Sequence, residues 1–580
     1  MLSKKVLSNF LPLILIVILA SVLRLLWLDK VPSSIGGDEL VYIFNAKAMY
    51  LTGHDVFGGW SPWQAFFFIL PKGDASAELL YFLSFPFVGP FNFSLLTARL
   101  PGAILSILTV LALYFVTKEL FDKKVALIAA SVAAVNPWLV YIGRTLYEAN
   151  PAMFFYLMSL LVLLKTKGMR IFWSLPFLLL AFYSYIGTKI ILIPFVLAGI
   201  AYCYFVQNKK IYVKHYAAVL LFSIVVVLVY FISLQLHPVT AVRLEEIITP
   251  NNPDIVKQVN DLRRGTMINP LLNLLVNKYT VFANILIVKY LKSFSTEYLF
   301  INGDQFFSIW RHGLFYYIDS IFILLGTLFL FVKKRAVFVF IAVLILIGVF
   351  PQVIHGASTD NYTLHLTLLF PFLIILAALG IYETVALFKH KRLKTAAAVL
   401  IFFIYLISVA NFLNIYFFWW PLQGYFDFQV RLLSKYVALA KAKGGDVAVY
   451  SSQNPDIFKK YLFYTNGFNK DTYLNVRNVY KKNDFTFENV KFLGCDNTRD
   501  FSTVKTTVLY DSFSCGNLIH EQAHLSLARL SDGGESYQIY NDKVCGKYNL
   551  KKFPSGLNIN DFSIENQSAQ QFCETFVTRL

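Results

Sequence analysis

Long apolar stretches alternate with short polar segments along the first 420 residues of the chain. Each stretch has roughly 15–24 residues, near the ~20 that an α-helix needs to cross a bilayer. The pair Asn136-Pro137 predicts a kink in the third stretch. The pattern predicts about eleven membrane spans, at about residues 10–28, 100–116, 125–142, 151–164, 171–185, 190–206, 217–236, 314–332, 337–353, 364–387 and 396–418.

Lysine and arginine cluster in alternate connections between these predicted spans, after the second, fourth, sixth, eighth and tenth. Short loops rich in lysine and arginine stay in the cytoplasm. The alternation therefore predicts a multi-pass protein of the cell membrane with a cytoplasmic N-terminus and an extracytoplasmic C-terminal segment.

Two outer loops follow from this topology, at residues 29–94 and 237–312, within a predicted membrane domain of residues 1–420. In the first loop, residues 65–70 and 79–88 are predicted to lie along the membrane interface as short helices. In the second loop, residues 271–291 are apolar but interrupted by asparagine and lysine, which favours an interfacial position. Whether this stretch crosses the membrane is left open.

Residues 421–580 form a predicted soluble domain outside the membrane. Alternating or β-branched and aromatic runs predict strands at 446–452, 506–511 and 536–540. A helix is predicted to begin at Ser452 or Asn454 and to end near Gly467. The segment is thus expected to be a small mixed α/β domain.

Composition supports a membrane protein, since 57% of residues are hydrophobic, 15% are charged and the mean hydropathy is +0.58. The net charge of +18 is assigned to cytoplasmic loops, because no basic soluble domain is available to bind nucleic acid. Four of the five cysteines, Cys495, Cys515, Cys545 and Cys573, lie in the predicted extracytoplasmic domain. They predict up to two disulfides, with three pairings open.

Candidate chemistry begins with the adjacent carboxylates Asp38 and Glu39, directly after the first span. Carboxylates near hydrocarbon are costly and are usually functional. Further ionisable residues are predicted at the same membrane edge: Arg24, Lys72, Arg99, Arg144, Glu148 and Lys189. A single such residue is often a structural ion pair, whereas the whole set indicates one charged cavity.

This inventory fits an enzyme that uses a sugar carried on a polyprenyl phosphate. The phosphate needs cations, and arginine offers bidentate donors. The attacking hydroxyl needs a carboxylate base. Two other classes remain open, a transporter or flippase of a lipid-linked sugar and a non-catalytic scaffold whose soluble domain binds a partner. A transporter would carry internal repeats and midplane charges.

Four ordered stretches carry a family resemblance. They are Asp38-Glu39-x-x-Tyr42 with Ala46, Arg99-Leu-Pro101-Gly102-Ala103 through Leu120-Phe121, Asn136-Pro137-Trp138 through Arg144 and Tyr147-Glu148-Ala-Asn150, and Glu297-Tyr-Leu-Phe300-x-x-Gly303-Asp304 with Arg311-His312-Gly313. On these residues the sequence resembles the bacterial and archaeal branch of the dolichyl-phosphate-mannose protein mannosyltransferase family, within the C-type (GT-C) glycosyltransferases.

The resemblance implies a GT-C-like polytopic helical fold. It also implies inverting transfer of a mannose-like sugar from a polyprenyl-phosphate donor to a protein, lipid or glycan hydroxyl on the outer face. Asp38 is the implied general base with Glu39 beside it, and Glu148 is the second acidic residue. A divalent metal on Asp38 and Glu148 is an open alternative. The implied donor-binding residues are Arg24, Tyr42, Lys72, Arg99, Arg144 and Lys189. The chain departs from some relatives at Val41 and after Lys72.

Overall fold

The computed structural model describes residues 4–67, 78–236, 247–423 except 310, 357 and 359, and 426–580 except 499, 502, 503, 517, 519–522, 533 and 555. The predicted donor residue Lys72 and residues 68–70 of the first predicted interfacial helix lie outside these ranges.

Helices make up most of the described chain, and their bounds run as follows. They are α1 Lys4–Leu25, α2 Gly37–Thr52, α3 Glu78–Val88, α4 Leu95–Leu120, α5 Lys123–Val135, α6 Pro137–Ile142, α7 Ala149–Lys165, α8 Ser174–Ser184, α9 Ile186–Lys189, α10 Leu192–Ala201, α11 Val213–Leu236, α12 Pro253–Arg264, α13 Leu272–Leu275, α14 Lys278–Ser293, α15 Tyr317–Lys333, α16 Arg335–Ile354, α17 Leu369–Leu387, α18 Lys391–Asn414, α19 Phe426–Ala442, α20 Asn454–Tyr464, α21 Tyr473–Lys482, α22 Ser512–Cys515 and α23 Ala569–Phe576.

The strands all lie after residue 446. They are β1 Val447–Tyr450, β2 Thr486–Phe487, β3 Val490–Leu493, β4 Thr507–Tyr510, β5 Leu525–Ala528, β6 Glu535–Tyr540 and β7 Val577–Arg579.

The chain divides into two compact units. The first, here called the helical unit, contains Met1–Leu26, Trp63–Leu80 and Gly102–Phe412. The second, here called the mixed unit, contains Trp27–Pro62, Tyr81–Pro101 and Leu413–Leu580. The first predicted outer loop thus contributes to the same unit as the C-terminal sheet. The boundary predicted near residue 420, between a membrane domain and a soluble domain, stays a prediction.

Five helices in the described residues are long and apolar enough to cross a membrane, namely Leu95–Leu120, Lys210–Leu236, Arg335–Ile354, Leu369–Leu387 and Lys391–Leu422. The predicted helical membrane fold with a C-terminal sheet is confirmed at this level. The count of about eleven spans and the orientation of the termini stay predictions, because many other apolar helices are shorter.

Local signals account for several helix ends. The predicted break in the third span is confirmed, since α5 ends at Val135 and α6 begins at Pro137. The Asn136 side chain accepts a hydrogen bond from the Leu139 amide and so caps α6. Residues 271–291 divide into α13 and α14, and the 16-residue α14 is not among the candidate spans.

One helix is absent from the prediction. The sequence analysis treats residues 37–52 as loop, whereas the structure forms α2 there, with Glu39 to Met49 largely buried. Acidic residues in its first turn suit the positive end of the helix dipole. Gly53 ends the helix with φ 73°, a left-handed conformation that glycine adopts without strain. The start and stop signals were therefore present.

Small residues allow the closest helix packing in the helical unit. A Cβ at Gly326 of α15 would lie 1.9 Å from the Leu376 carbonyl oxygen, and one at Gly380 of α17 would lie 2.0 Å from that of Phe322. Either substitution would clash with backbone. Helix association in membranes relies on such close approach, because lipid is as apolar as the side chains.

The mixed unit contains a sheet that has seven strands in the described residues, in the order β2-β3-β1-β4-β6-β5-β7. Strand β1 is parallel to both β3 and β4, and the remaining pairings are antiparallel. The three strands predicted from the sequence correspond to β1, β4 and β6. The predicted helix is α20, which begins at Asn454 and ends at Tyr464.

Two disulfides join the four cysteines of this unit, Cys495–Cys515 and Cys545–Cys573. The predicted disulfide count is confirmed, and the structure selects one of the three pairings. Cys203, in the helical unit, is a buried free thiol.

Arg431 of α19 is fully buried and donates four hydrogen bonds within the mixed unit. Its guanidinium donates to both carboxylate oxygens of Glu565, at 2.7 and 2.6 Å. It also donates to the backbone oxygens of Ser33 at 2.6 Å and Phe562 at 2.9 Å. One side chain therefore ties α19, the segment before α2 and the C-terminal region together.

Replacing Arg431 with alanine is expected to lower the free energy of unfolding by on the order of 3 kcal/mol, because the Glu565 carboxylate and two buried carbonyls lose their donor. Thermal unfolding of the purified protein in detergent measures this. Lys441→Ala is the control, since its pair with Glu488 is partly exposed on both sides and should contribute only about 0–1 kcal/mol. Equal effects of the two substitutions would contradict the role given to Arg431.

The same contact predicts a pH dependence. Burial alone would raise the pKa of Glu565, but the charge and hydrogen bonds of Arg431 lower it below its ordinary value. A depressed carboxyl pKa contributes stability above the unfolded pKa of about 4.3, and this is lost as pH falls through the folded pKa. The melting-temperature difference between wild type and Glu565→Gln should therefore shrink in acid.

Candidate functional site

The two predicted catalytic carboxylates lie in the first turn of α2 but face different surroundings. Asp38 is exposed, whereas Glu39 is 2% exposed. A Glu39 carboxylate oxygen accepts a hydrogen bond from the Gly36 amide at 2.9 Å, and the other lies 3.8 Å from Arg99 Nε. Glu39 thus stabilises the start of the helix, whereas the Asp38 side chain is exposed.

In the segment before α2, the backbone of each residue from Pro32 to Ile35 makes a hydrogen bond with a side chain that is distant in sequence. Arg99 donates to the Pro32 oxygen at 2.7 Å and to the Ser34 oxygen, and Arg431 donates to the Ser33 oxygen between them. The Ile35 amide donates to the Tyr464 hydroxyl at 3.0 Å. We call residues 32–36, with the side chains that hold them, the arginine clamp.

The arginine clamp positions Asp38 by fixing the backbone that leads into its helix. Arg99 is fully buried, and these contacts direct its guanidinium at the clamp. Its predicted donor-phosphate role stays a prediction, and the structure adds a positioning role. Neither Arg431 nor Tyr464 was identified from the sequence, because nothing in a helix of ordinary composition shows which distant loop it will hold.

Two other predicted donor residues, Arg24 and Arg144, are fully buried in the helical unit. Arg24 donates to the carbonyls of Ala133 at 3.2 Å and Ala134 at 2.9 Å, at the end of α5. Arg144 donates to the carbonyl of Leu23, near the end of α1, at 3.0 Å. The last carbonyls of a helix have no partner within it, so cations are favoured there.

Glu148 lies in the short segment between α6 and α7, and its side chain is partly buried. This segment packs closely on α4, since a Cβ at Gly102 would lie 2.2 Å from the Thr145 backbone oxygen. The Asn150 amide donates to the Gly102 oxygen at 2.7 Å. Glycine is therefore required at position 102 of the motif that carries the resemblance.

Lys189 lies between aromatic rings at the border of an apolar cavity. It is 5% exposed, and its ammonium lies 4.5 Å from the Tyr230 ring centroid and 5.2 Å from that of Phe182. It lines a cavity of about 240 Å³ whose other walls are largely apolar: Ile186, Ile190, Ile193, Val227, Phe231, Ile247, Pro351 and Ile354. We call this the Lys189 cavity.

Two histidines line the Lys189 cavity as well, His355 and His365, and the sequence analysis did not select either. Their rings lie 4.4 Å apart, and the Nδ1 of His365 is 2.7 Å from the Tyr185 hydroxyl. Lys289 donates to the His355 carbonyl and so holds this segment. His355 and His365 are 166 and 176 residues from Lys189 in the sequence, so no local spacing relates them to it.

Tyr42 is 1% exposed, and its ring lies 5.8 Å from that of Tyr81 within an aromatic cluster that includes Trp60. Its predicted donor contact stays a prediction.

The predicted metal ligands do not form a metal centre by themselves. Within the ranges that the structure describes, no group of three or more His, Cys, Asp or Glu side chains could hold a metal ion. Asp38 belongs to the mixed unit and Glu148 to the helical unit. The metal stays a prediction, and the mechanism proposed below uses no step through it.

One segment of the chain matches a known protein family. Residues 84–233 match the family model described as dolichyl-phosphate-mannose-protein mannosyltransferase, which covers about a quarter of the chain. The resemblance stated from the sequence is confirmed over this segment, which contains Arg99, Arg144, Glu148 and Lys189. No curated protein matches the sequence significantly.

Two solved structures are similar to this chain at low sequence identity. The apo oligosaccharyltransferase of Archaeoglobus fulgidus is 13% identical with a TM-score of 0.48, over 93% of this chain and 75% of that one. ArnT from Cupriavidus metallidurans in the apo state is 11% identical with a TM-score of 0.47, over 91% and 97%. With TM-scores below 0.5, these similarities carry no argument about substrate or mechanism.

The arginine clamp makes a testable prediction. Tyr464→Phe removes the acceptor of the Ile35 amide and should speed hydrogen exchange there about fivefold, the effect of losing a hydrogen bond of ~1 kcal/mol. Exchange mass spectrometry of a peptide covering residues 32–40 measures this. Tyr473→Phe in α21 is the matched control and should leave this peptide unchanged. Unaltered exchange in Tyr464→Phe would show that the hydroxyl does not hold the segment.

Proposed function

We propose that the protein is a membrane glycosyltransferase that moves a mannose-like sugar from a polyprenyl phosphate to an acceptor hydroxyl on the extracytoplasmic face. The Lys189 cavity is the observation that carries this proposal. It combines apolar walls with a buried ammonium and two histidines, which are the features that a prenyl chain and its phosphate require. The match of residues 84–233 to a mannosyltransferase family supports the same class.

The proposed reaction is a single displacement with inversion at the anomeric carbon. The acceptor oxygen forms a bond to this carbon as the bond from the carbon to the phosphate oxygen breaks. The acceptor proton passes to the Asp38 carboxylate, and the polyprenyl phosphate leaves with the bonding electron pair. Because phosphate is a good leaving group, cations that balance its charge suffice on that side and no protonated acid is needed.

Asp38 is suited to the role of base by its exposure and by the rigidity of its surroundings. A general base must meet the reacting proton at hydrogen-bond distance, which favours a carboxylate on a fixed helix end. The arginine clamp fixes that end. Glu39 is engaged with Gly36 and Arg99, so it serves as a positioning residue in this proposal.

The cations divide into two groups in the proposal. Lys189, with His355 and His365, binds the donor phosphate directly. Arg24, Arg99 and Arg144 already contact backbone carbonyls, so they support the site by holding helix ends and the arginine clamp. The roles of Tyr42 and Lys72 in donor binding, of Glu148 as the second acidic residue and of a metal on Asp38 and Glu148 stay predictions that substitution and chelation would test.

A transporter or flippase of a lipid-linked sugar is the main alternative. It could use the Lys189 cavity but has no need of an exposed carboxylate held by a rigid segment. Within the transferase class, three acceptors are open, a protein, a lipid and a glycan, and transfer to a lipid is the alternative to transfer to protein. The proposal places the protein in the cell membrane, with its N-terminus in the cytoplasm and its C-terminal unit outside.

The substitution Asp38→Asn keeps the size of the side chain but cannot accept a proton. Turnover should fall at least ~100-fold while donor binding persists, since a positioned base supplies ~10²–10⁴-fold. The assay follows labelled polyprenyl-phosphate mannose with purified protein. Glu39→Gln should affect turnover less, because it removes charge beside Arg99 and not the base. Unchanged transfer by Asp38→Asn would remove Asp38 as the base, and absence of transfer by the wild-type protein would favour the flippase.

The substitution Lys189→Met keeps an apolar chain but removes the ammonium. Donor affinity should fall about 10- to 150-fold, the effect of a lost charge-assisted hydrogen bond of ~1.5–3 kcal/mol. Donor binding is measured by fluorescence titration. Lys165→Met is the matched control, because Lys165 also lies at a helix end near an aromatic ring, that of Phe115. Equal affinities for Lys189→Met and wild type would remove the cavity from donor binding.

A further inference from the structure

The sheet of the mixed unit has a topological switch point at β1. From β1 the chain passes through α20 and α21 to β3 on one side, and β4 then pairs with β1 on the other side. The segments that follow β1 and β4 therefore leave in opposite directions and open a crevice at the carboxyl ends of these parallel strands. Ligands of α/β sheets bind in such crevices.

A cavity of about 310 Å³ occupies this place, and we call it the switch-point cavity. Gln453 lines it from the segment after β1, and Asp511 and Ser514 line it from the segment after β4. The Asp511 carboxylate accepts hydrogen bonds from Ser514 at 2.7 Å and from Ser451 at 2.8 Å. These hydrogen bonds connect the two segments, which together form one wall of the cavity.

Gln429 of α19 marks the cavity as a binding site. It is 7% exposed and lines the cavity, yet neither the oxygen nor the nitrogen of its carboxamide has a hydrogen-bond partner in the described part of the chain. A buried polar group without a partner costs about 1–3 kcal/mol, and such groups are rare in native proteins. A ligand with both a donor and an acceptor would satisfy it.

Charge in the cavity favours a neutral ligand. Lys460 pairs with Asp456, Arg529 pairs with Asp532 at 2.7 Å, and Asp511 is a further carboxylate. The cations are therefore balanced, and a phosphate would meet carboxylates. Carboxylates, an amide and hydroxyls suit vicinal hydroxyl groups, which donate and accept together.

An aromatic residue completes this set. Phe513 lines the cavity and is 61% exposed, so its ring contributes accessible apolar surface there. Hydroxyls on one side and C–H groups on the other are the chemistry of a pyranose sugar.

The cavity is also close to Asp38 within the mixed unit. An Asp456 carboxylate oxygen lies 3.6 Å from the position that a Cβ would take on Gly37, the residue before Asp38. Asp456 is paired with Lys460, which lines the cavity. One ion pair therefore separates the cavity from the helix end that carries the proposed base.

We propose that the switch-point cavity binds a neutral pyranose unit of the acceptor, so that the acceptor is a glycan chain. That this sugar belongs to an acceptor rests on the proposed transferase function, whereas the sugar-binding site itself rests on the cavity alone. The sugar would be held by Gln429 and Asp511 and stacked on Phe513, next to the proposed base.

Binding is tested first without any donor. A panel of methyl pyranosides (mannoside, glucoside, galactoside) and a mannose oligosaccharide is titrated into full-length protein in detergent, with saturation-transfer NMR and calorimetry. We expect at least one neutral pyranoside to bind, Gln429→Met to weaken it at least tenfold, and Gln570→Met, an exposed glutamine in α23, to leave it unchanged. Phe513→Ala, at an exposed position, should also weaken binding without affecting folding.

The comparison between monosaccharide and oligosaccharide separates a free sugar from a glycan chain. Tighter binding of the oligosaccharide, and a raised KM for it in Gln429→Met with kcat preserved, support the glycan acceptor. Absence of binding by every saccharide overturns the proposal, as does selective binding of inorganic phosphate or of a serine-containing peptide that Gln429→Met abolishes. Asp38→Asn should still bind the pyranoside, so loss of the base and failure of the cavity give different results.

Discussion

The arginine clamp is the constraint on which the candidate site depends. Three successive carbonyls, of Pro32, Ser33 and Ser34, accept hydrogen bonds from the guanidinium groups of Arg99 and Arg431. Both arginines are fully buried, so these bonds form away from water, where an unpaired polar group is most costly. This irregular segment is thereby held by side-chain hydrogen bonds. Because α2 begins directly after it, the orientation of Asp38 follows from contacts made by residues 61 and 393 positions away.

The arginine clamp also links the C-terminal segment to the helix that carries Asp38. Arg431 and Tyr464, which hold the arginine clamp, belong to α19 and α20 of the region that follows the last candidate span. The C-terminal sheet therefore shares one unit with the helix that carries Asp38, and is not an independent appendage. The switch-point cavity and the proposed base thus belong to one unit, as the proposed acceptor site requires.

In the helical unit, buried cations serve helix ends more than they serve each other. Arg24 and Arg144 contact carbonyls near the ends of α5 and α1, where backbone oxygens lack partners. Lys189 differs, because its ammonium is placed against two aromatic rings and at the border of an apolar cavity. The sequence predicts all three cations at one membrane edge, whereas only their contacts distinguish Lys189 from the two arginines.

The amino-acid sequence by itself determined the helical class, the C-terminal sheet, the break at Asn136 and the disulfide count. Each of these depends on residues that are near in sequence or on composition, so periodicity, proline and cysteine reveal them. The family resemblance, carried by ordered motifs, likewise needed no structure.

Only the tertiary structure decided which side chains meet. It placed Asp38 at a helix start that the sequence analysis described as loop, and it turned Glu39 inward to Arg99. It brought His355 and His365 to the cavity of Lys189, and Gln429 to the crevice between β1 and β4. These pairings join residues separated by tens to hundreds of positions, and hydrophobic pattern specifies the face of an element but not its neighbour. The physical reason is that contacts of long sequence separation are selected by packing of the whole chain.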